Sequence, residues 1–160
     1  MKSRPATLPR SAQLPAPPAA AAALSAKLAR LIASEIRRGS GWIPFARYME
    51  LALYAPGLGY YMAGARKLGR DGDFVTAPEV SALYGRTRAR QVAQLAELGF
   101  SEILEIGAGS GALAADLLTE LERLGCPPER YLILELSPDL RDRSRDTLAV
   151  RAPQLLGRIA

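Results

Sequence analysis

Histidine is missing from this 160-residue chain, and cysteine occurs once, at Cys126. The first absence excludes His-ligated metal sites and Ser-His-Asp catalysis within the chain, and no metal site is expected. The second excludes an internal disulfide framework and fits a reducing compartment, so a cytoplasmic protein is expected. Cys126 follows Gly125 in a connecting stretch with no imidazole to activate it, which argues against a catalytic thiol. No apolar run reaches membrane-spanning length, and no membrane partner is expected. A basic stripe on the folded part is lacking too. Residues 1–40 hold seven Lys/Arg against Glu35 alone, while the remainder holds 14 basic and 15 acidic side chains. The net charge of +5 therefore belongs to the N-terminal segment, and nucleic acid is not an expected partner.

What is present is organised around residues 102–113. Ile103, Leu104 and Ile106 form a short apolar run, expected to be a strand buried on both faces of a parallel sheet. Gly107, Gly109 and Gly111 then break it. Ala112 to Leu124 follows with helical spacing, in which Leu113, Leu117 and Leu121 repeat at four and Leu118 and Leu124 widen the stripe. Strand, Gly-rich turn and helix open a nucleotide-binding α/β unit.

Two ligands compete for this turn. Gly107, Gly109 and Ala112 satisfy the dinucleotide fingerprint G-x-G-x-x-[GA], whose helix N-terminus faces a pyrophosphate. Read as E-x-G-x-G-x-G, the turn also employs Glu105, a carboxylate able to meet the amino group of a methionine moiety. S-adenosylmethionine (SAM) carries that amino group and a sulfonium but no phosphate. Glu105 and the third glycine, Gly111, favour SAM.

Residues 1–22 are rich in Ala and Pro and are expected to form a disordered tail. A helix is expected from about Ala20 to Arg38, with Leu24, Leu28, Leu31 and Ile32 on one face. Trp42 to Tyr54 reads as a second helix that buries Phe45, Tyr48, Met49, Ala52 and Leu53. Pro56, Gly57 and Gly59 enforce turns before Tyr60 and Tyr61, and Lys67 to Asp73 is expected to be a mobile loop. Thr76, Pro78 and Glu79 have the spacing of an N-cap, a first-turn proline and a capping-box acid. They should start one helix that runs to about Leu98, with Val80, Leu83, Val92 and Leu95 inward and Arg86, Arg88 and Arg90 outward.

Tyr131 to Leu136 reads as the second buried strand. It carries Glu135, 28 residues after Gly107, placed at the strand's carboxyl end to accept ribose hydroxyls. Ser137, Pro138 and Asp139 then supply the N-cap, N1 and N2 of another helix.

Four blocks together resemble the MidA-like SAM-dependent methyltransferases, a group that includes a mitochondrial assembly factor for respiratory complex I. They are Phe45-Ala-Arg-Tyr-Met-Glu-Leu-Ala-Leu-Tyr54, Gly59-Tyr-Tyr61, Gly72-Asp-Phe-Val-Thr-Ala-Pro-Glu-Val-Ser81 and Glu105-Ile-Gly-Ala-Gly-Ser-Gly111. Leu132-Ile-Leu-Glu-Leu-Ser-Pro-Asp139 is similar to the family's second strand and its exit. The resemblance implies an α/β class: N-terminal helices followed by the first βαβα part of a class I, Rossmann-like methyltransferase sheet. It implies SAM as cofactor, with contacts from Glu105, Gly107, Ala108, Gly109, Gly111 and Glu135. Gly72, Asp73, Phe74, Thr76, Pro78 and Glu79 would pack beside the cofactor and close its pocket. A protein acceptor is implied, with arginine methylated in the mitochondrial member. No catalytic residue is assigned.

Set against the family, the chain offers only two strands and the start of a third at Arg158-Ile159. It is expected to be an N-terminal fragment, inactive alone and open to self-association through an uncovered sheet edge. Three regions are expected: the tail 1–22, a helical region 23–100 with a Gly-rich loop, and an incomplete SAM-binding domain 101–160. A nicotinamide-dependent oxidoreductase fragment and a non-enzymatic interaction module remain the alternatives.

Overall fold

The computed structural model describes residues 16–64, 67–69 and 72–160. Most of the tail, and Arg70 and Asp71 within the expected loop, lie outside the described residues. Helix α1 spans Ala19–Arg38, so residues 19–22 form its first turn and do not belong to the tail. Leu24, Leu28, Leu31 and Ile32 are half-buried, as their spacing predicts, yet no residue of α1 is fully buried. Helix α2 spans Phe45–Tyr54 and starts later than expected, because Pro44 stands at its N-cap with extended backbone. Its buried residue is Leu51; Phe45 and Tyr48, expected in the core, are exposed.

The helix expected from Thr76 is two helices. α3, Ala77–Val80, ends where Ser81 adopts extended backbone, and the Ser81 hydroxyl accepts from Leu83 N at 3.2 Å to begin α4, Ala82–Glu97. Thr76 occupies the N-cap position of α3, but its side chain makes no cap hydrogen bond, so the capping box is not formed. Val80, Leu83 and Leu95 are exposed, contrary to expectation. α4 instead buries Gly85 and Ala89 against α5, Ala112–Arg123. Small residues let the two helices approach closely: a Cβ on Gly85 would lie 2.5 Å from Asp116 Cβ.

Strands β1, Glu102–Ile106, and β2, Arg130–Leu134, pair in parallel with Ile103 opposite Tyr131 and Ile106 opposite Leu134. β2 stops two residues short of the expected Leu136. Helix α6, Pro138–Arg151, begins as its sequence predicts, with the Ser137 hydroxyl accepting from Leu140 N. Beyond a 3-10 turn at Pro153–Arg158, Ile159 lies parallel to Tyr131, and Ala160 N donates to Tyr131 O at 3.0 Å. The sheet proper has two strands, and this isolated bridge sets Ile159 beside β2, where a doubly wound sheet of order 3-2-1 has its third strand.

The core gathers Ala89 of α4, Leu117, Leu118 and Leu121 of α5, Tyr131 of β2 and Leu148 of α6, with Ile103 and Ile133 packed against it. It therefore runs across residue 100. Exposed and half-buried residues alternate along β1, and only one sheet face meets this core. On the other face Leu104 is 59% and Ile106 74% exposed, which corrects the expectation of burial on both sides. A doubly wound sheet buries both faces only when helices cover both, and those packed in this core cover one.

Gly85→Ala should destabilise the chain by about 1–3 kcal/mol, the typical penalty of overpacking. Gly157→Ala, whose new methyl would meet open space, should stay near wild type. Urea denaturation of the two variants measures the difference.

Candidate functional site

A cleft of about 450 Å³ opens at the carboxyl ends of β1 and β2, within the usual size range of small-molecule sites. One wall is the turn from Gly107 into α5. Gly107 (φ +74°) and Gly111 (φ +78°) hold left-handed backbone, which strains any residue with a Cβ. Gly111 is also locked by packing, since its Cβ would meet Ser144 of α6 at 2.9 Å. A Cβ on Gly107 would meet nothing within 4 Å.

Three carboxylates line the cleft, each held differently. Glu135 accepts from Gly109 N at 3.1 Å and from Ser137 N at 2.9 Å, which joins the turn after β1 to the turn after β2. Glu79 accepts from the Ser110 hydroxyl, which in turn accepts from Ala112 N at 3.3 Å. The Glu79 carboxylate thereby fastens α3 to the glycine turn and takes no part in a capping box. Glu105 accepts from the Tyr131 hydroxyl at 2.8 Å. Burial pushes the Glu105 carboxyl above its ordinary range, and the nearby Glu135 charge adds to the rise. Burial likewise raises the Tyr131 phenol, which stays protonated as donor.

The opposite wall comes from residues 54–79. Tyr54 and Tyr61 stack at 5.7 Å, and Tyr61 O accepts from the Ser137 hydroxyl at 2.7 Å. Leu68 and Phe74 are joined by a short parallel bridge and line the same wall with Thr76 and Pro78. Behind it, Tyr60 donates to Asp73 at 2.7 Å; burial, then Asp73, pushes its phenol up to about 12. Lys67 is buried with its ammonium 5.4 Å from the Tyr60 ring centre, and that burial lowers its pKa.

Of the expected site residues, the fold brings Glu105, Gly107, Ala108, Gly109 and Glu135 to the cleft, together with Phe74, Thr76, Pro78 and Glu79. Gly111 packs on α6 behind the lining. Gly72 and Asp73 do not line the cleft either: Gly72 turns against Lys67, and Asp73 accepts from Tyr60. Sequence reasoning missed Tyr54, Tyr61, Leu68, Ser110, Leu113 and Leu140. Ser110 lies inside the glycine motif, and Tyr54 and Tyr61 end two of the other blocks that carry the family resemblance. Among the described lining residues the charged ones are all acidic, with no Lys or Arg.

A family model for S-adenosyl-L-methionine-dependent methyltransferases matches residues 85–160. The mitochondrial protein arginine methyltransferase NDUFAF7 homolog of Drosophila melanogaster is 36% identical over 106 residues, which cover 63% of this chain and 24% of that protein. The mitochondrial NDUFAF7 arginine methyltransferase of Bos taurus is 34% identical over 93 residues, covering 55% and 21%. A crystal structure of a COG1565 superfamily member from Burkholderia thailandensis, bound to S-adenosyl-homocysteine, superposes with a TM-score of 0.85 at 50% identity. It covers 92% of this chain and 40% of that one. The chain thus spans about a quarter of the curated relatives and two fifths of the solved structure. These NDUFAF7 relatives are mitochondrial proteins, which overturns the cytoplasmic expectation drawn from the single cysteine.

Glu105→Gln keeps an acceptor for the Tyr131 hydroxyl and removes the buried charge. A carboxyl raised in the folded state contributes stability below its unfolded pKa and loses it as pH rises through the folded value. The variant should therefore be more stable than wild type at neutral pH, with the difference vanishing under acid conditions. Urea denaturation across pH measures it.

Proposed function

We propose that the chain is part of a MidA-like S-adenosyl-L-methionine-dependent methyltransferase and that its cleft binds SAM for methyl transfer to a protein, at arginine as in the named relatives. The observation that carries this reading is the charge of the cleft: Glu79, Glu105 and Glu135 without a described basic partner in the lining. A dinucleotide brings a pyrophosphate, which three carboxylates would repel. SAM brings two cationic centres and no phosphate, and an acidic cleft suits it.

The chain's own residues divide the work. Open space beside Gly107 admits a ligand against the backbone, where a side chain would block it. Glu135 uses two acceptor positions on backbone amides, and a carboxylate has about four, so it can still receive ribose hydroxyls. Glu105 lies on the strand side, where a ligand amino group would favour its ionised form and offset the burial that now raises its pKa. The stacked Tyr54 and Tyr61, with Phe74 and Leu68, form the apolar wall that excludes water from the reacting centre. SAM, when bound, supplies an electrophilic methyl on its sulfonium. The protein's part is to orient and desolvate. No residue is assigned to take the proton from the acceptor nitrogen.

Calorimetric titration with SAM, S-adenosyl-homocysteine and NAD tests the proposal. SAM and S-adenosyl-homocysteine should bind and NAD should not. Glu135→Ala should weaken SAM about 10- to 100-fold, the usual size for a lost hydrogen bond to a charged group. A thermal melt of the variant separates lost contact from lost fold. Binding of NAD in preference to SAM, or no SAM binding by a folded sample, would overturn the assignment.

A further inference from the structure

Further along α5 a second groove, of about 750 Å³, runs between α4, α5 and the end of α6, and it shares no lining residue with the cleft. Its walls carry Arg86 and Arg90 from α4, Arg123 from α5 and Arg151 from α6. Asp116 and Glu120, both buried, also line it. Arg151 donates to Asp116. Arg123 grips both oxygens of Glu120, at 2.9 and 2.7 Å, and this fork holds Glu120 below the usual carboxylate range. Two buried anions explain two of the arginines. They do not explain the other two.

Arg86 and Arg90 are exposed and stand four residues apart on α4, a spacing at which like charges repel. Arg90 approaches Glu120 only to 4.0 Å, and Arg86 is in no ion pair among the described residues. Four guanidiniums against two carboxylates leave an excess of two positive charges in the groove. The exposed Leu83 lines it too and offers an apolar foothold beside them.

We propose that this groove docks an acidic segment of a protein partner. Its carboxylates engage Arg86 and Arg90, and a neighbouring apolar side chain rests on Leu83. Paired Arg123 and Arg151 are already ordered by the buried acids, so they lend positive potential at little conformational cost. A nucleic acid suits the groove poorly. A polyphosphate backbone needs a continuing basic track, whereas residues 41–160 are almost neutral overall and the groove itself contains two carboxylates.

Fluorescence anisotropy of the 160-residue chain with a labelled peptide of alternating glutamate and leucine reads the docking directly. The peptide should bind, and its glutamine-for-glutamate counterpart should bind about tenfold more weakly or not at all. The double variant Arg86→Gln/Arg90→Gln should lose at least about tenfold, near the value of one charge-assisted hydrogen bond. Its melting curve should stay close to wild type, because Arg123 already holds both oxygens of Glu120, which Arg90 reaches only at 4.0 Å. Arg145→Gln, an exposed arginine on α6, should change nothing. Equal binding of the two peptides, no binding, or full retention by the double variant would overturn the proposal. So would displacement of the peptide by a single-stranded oligonucleotide at lower concentration than by unlabelled peptide, which would make the groove a nucleic-acid surface.

Discussion

One carboxylate holds the two halves of the site together. Glu135 leaves β2 and accepts amide hydrogens from Gly109, in the turn after β1, and from Ser137, at the head of α6. Both amides would otherwise face the cleft unpaired, and buried or half-buried donors without partners are expensive. Because one side chain satisfies both, the two strand-to-helix turns keep a fixed spacing. Ser137 then passes the linkage on to Tyr61, and Ser110 passes it to Glu79. The wall built by residues 54–79 is thereby tied at two points to the sheet's carboxyl end.

Glu105 shows the tension between stability and chemistry. It sits on the covered face of β1 among apolar neighbours, where burial disfavours its charge, and one phenol is its recorded donor. An apolar side chain would suit the core better. A carboxylate there is consistent with a site kept for a cation rather than for packing, in the way functional positions often oppose the fold's own preferences. Glu79 tells a similar story. Its position three residues after Thr76 promised a helix cap, and the cap is given up for the contact with Ser110.

The remaining surface divides into two kinds. Leu104, Ile106 and Leu134 leave an apolar sheet face bare, and α1 has no fully buried residue, so burial in this chain is concentrated around α5. The groove along α5 is the opposite case, built from charge and well ordered by its own ion pairs. The likeness to a methyltransferase structure covers nearly the whole chain but two fifths of that protein.

Local chemistry by itself determined the two strands, the glycine turn, the start of α6 and the membership of Glu105, Gly107, Gly109 and Glu135 in one cleft. These follow from short-range rules: short apolar runs, glycines that permit a sharp turn, a Ser-Pro helix start, and strand ends that must converge in a parallel βαβ unit. Tertiary structure decided the rest. The break of α4 at Ser81 depends on what Glu79 meets across the fold. The burial of Gly85 and Ala89, in place of Leu83 and Leu95, depends on how closely α5 approaches. Which sheet face is covered depends on helices distant in sequence. Tyr54, Tyr61 and Leu68 entered the cleft, and Gly72 and Asp73 stayed out, because loop residues reach a site through long-range contacts that no periodicity encodes. Charge position followed the same division: composition located the basic excess in the first forty residues, and only packing brought Arg86 and Arg90 of α4 together with Arg123 and Arg151 in one groove.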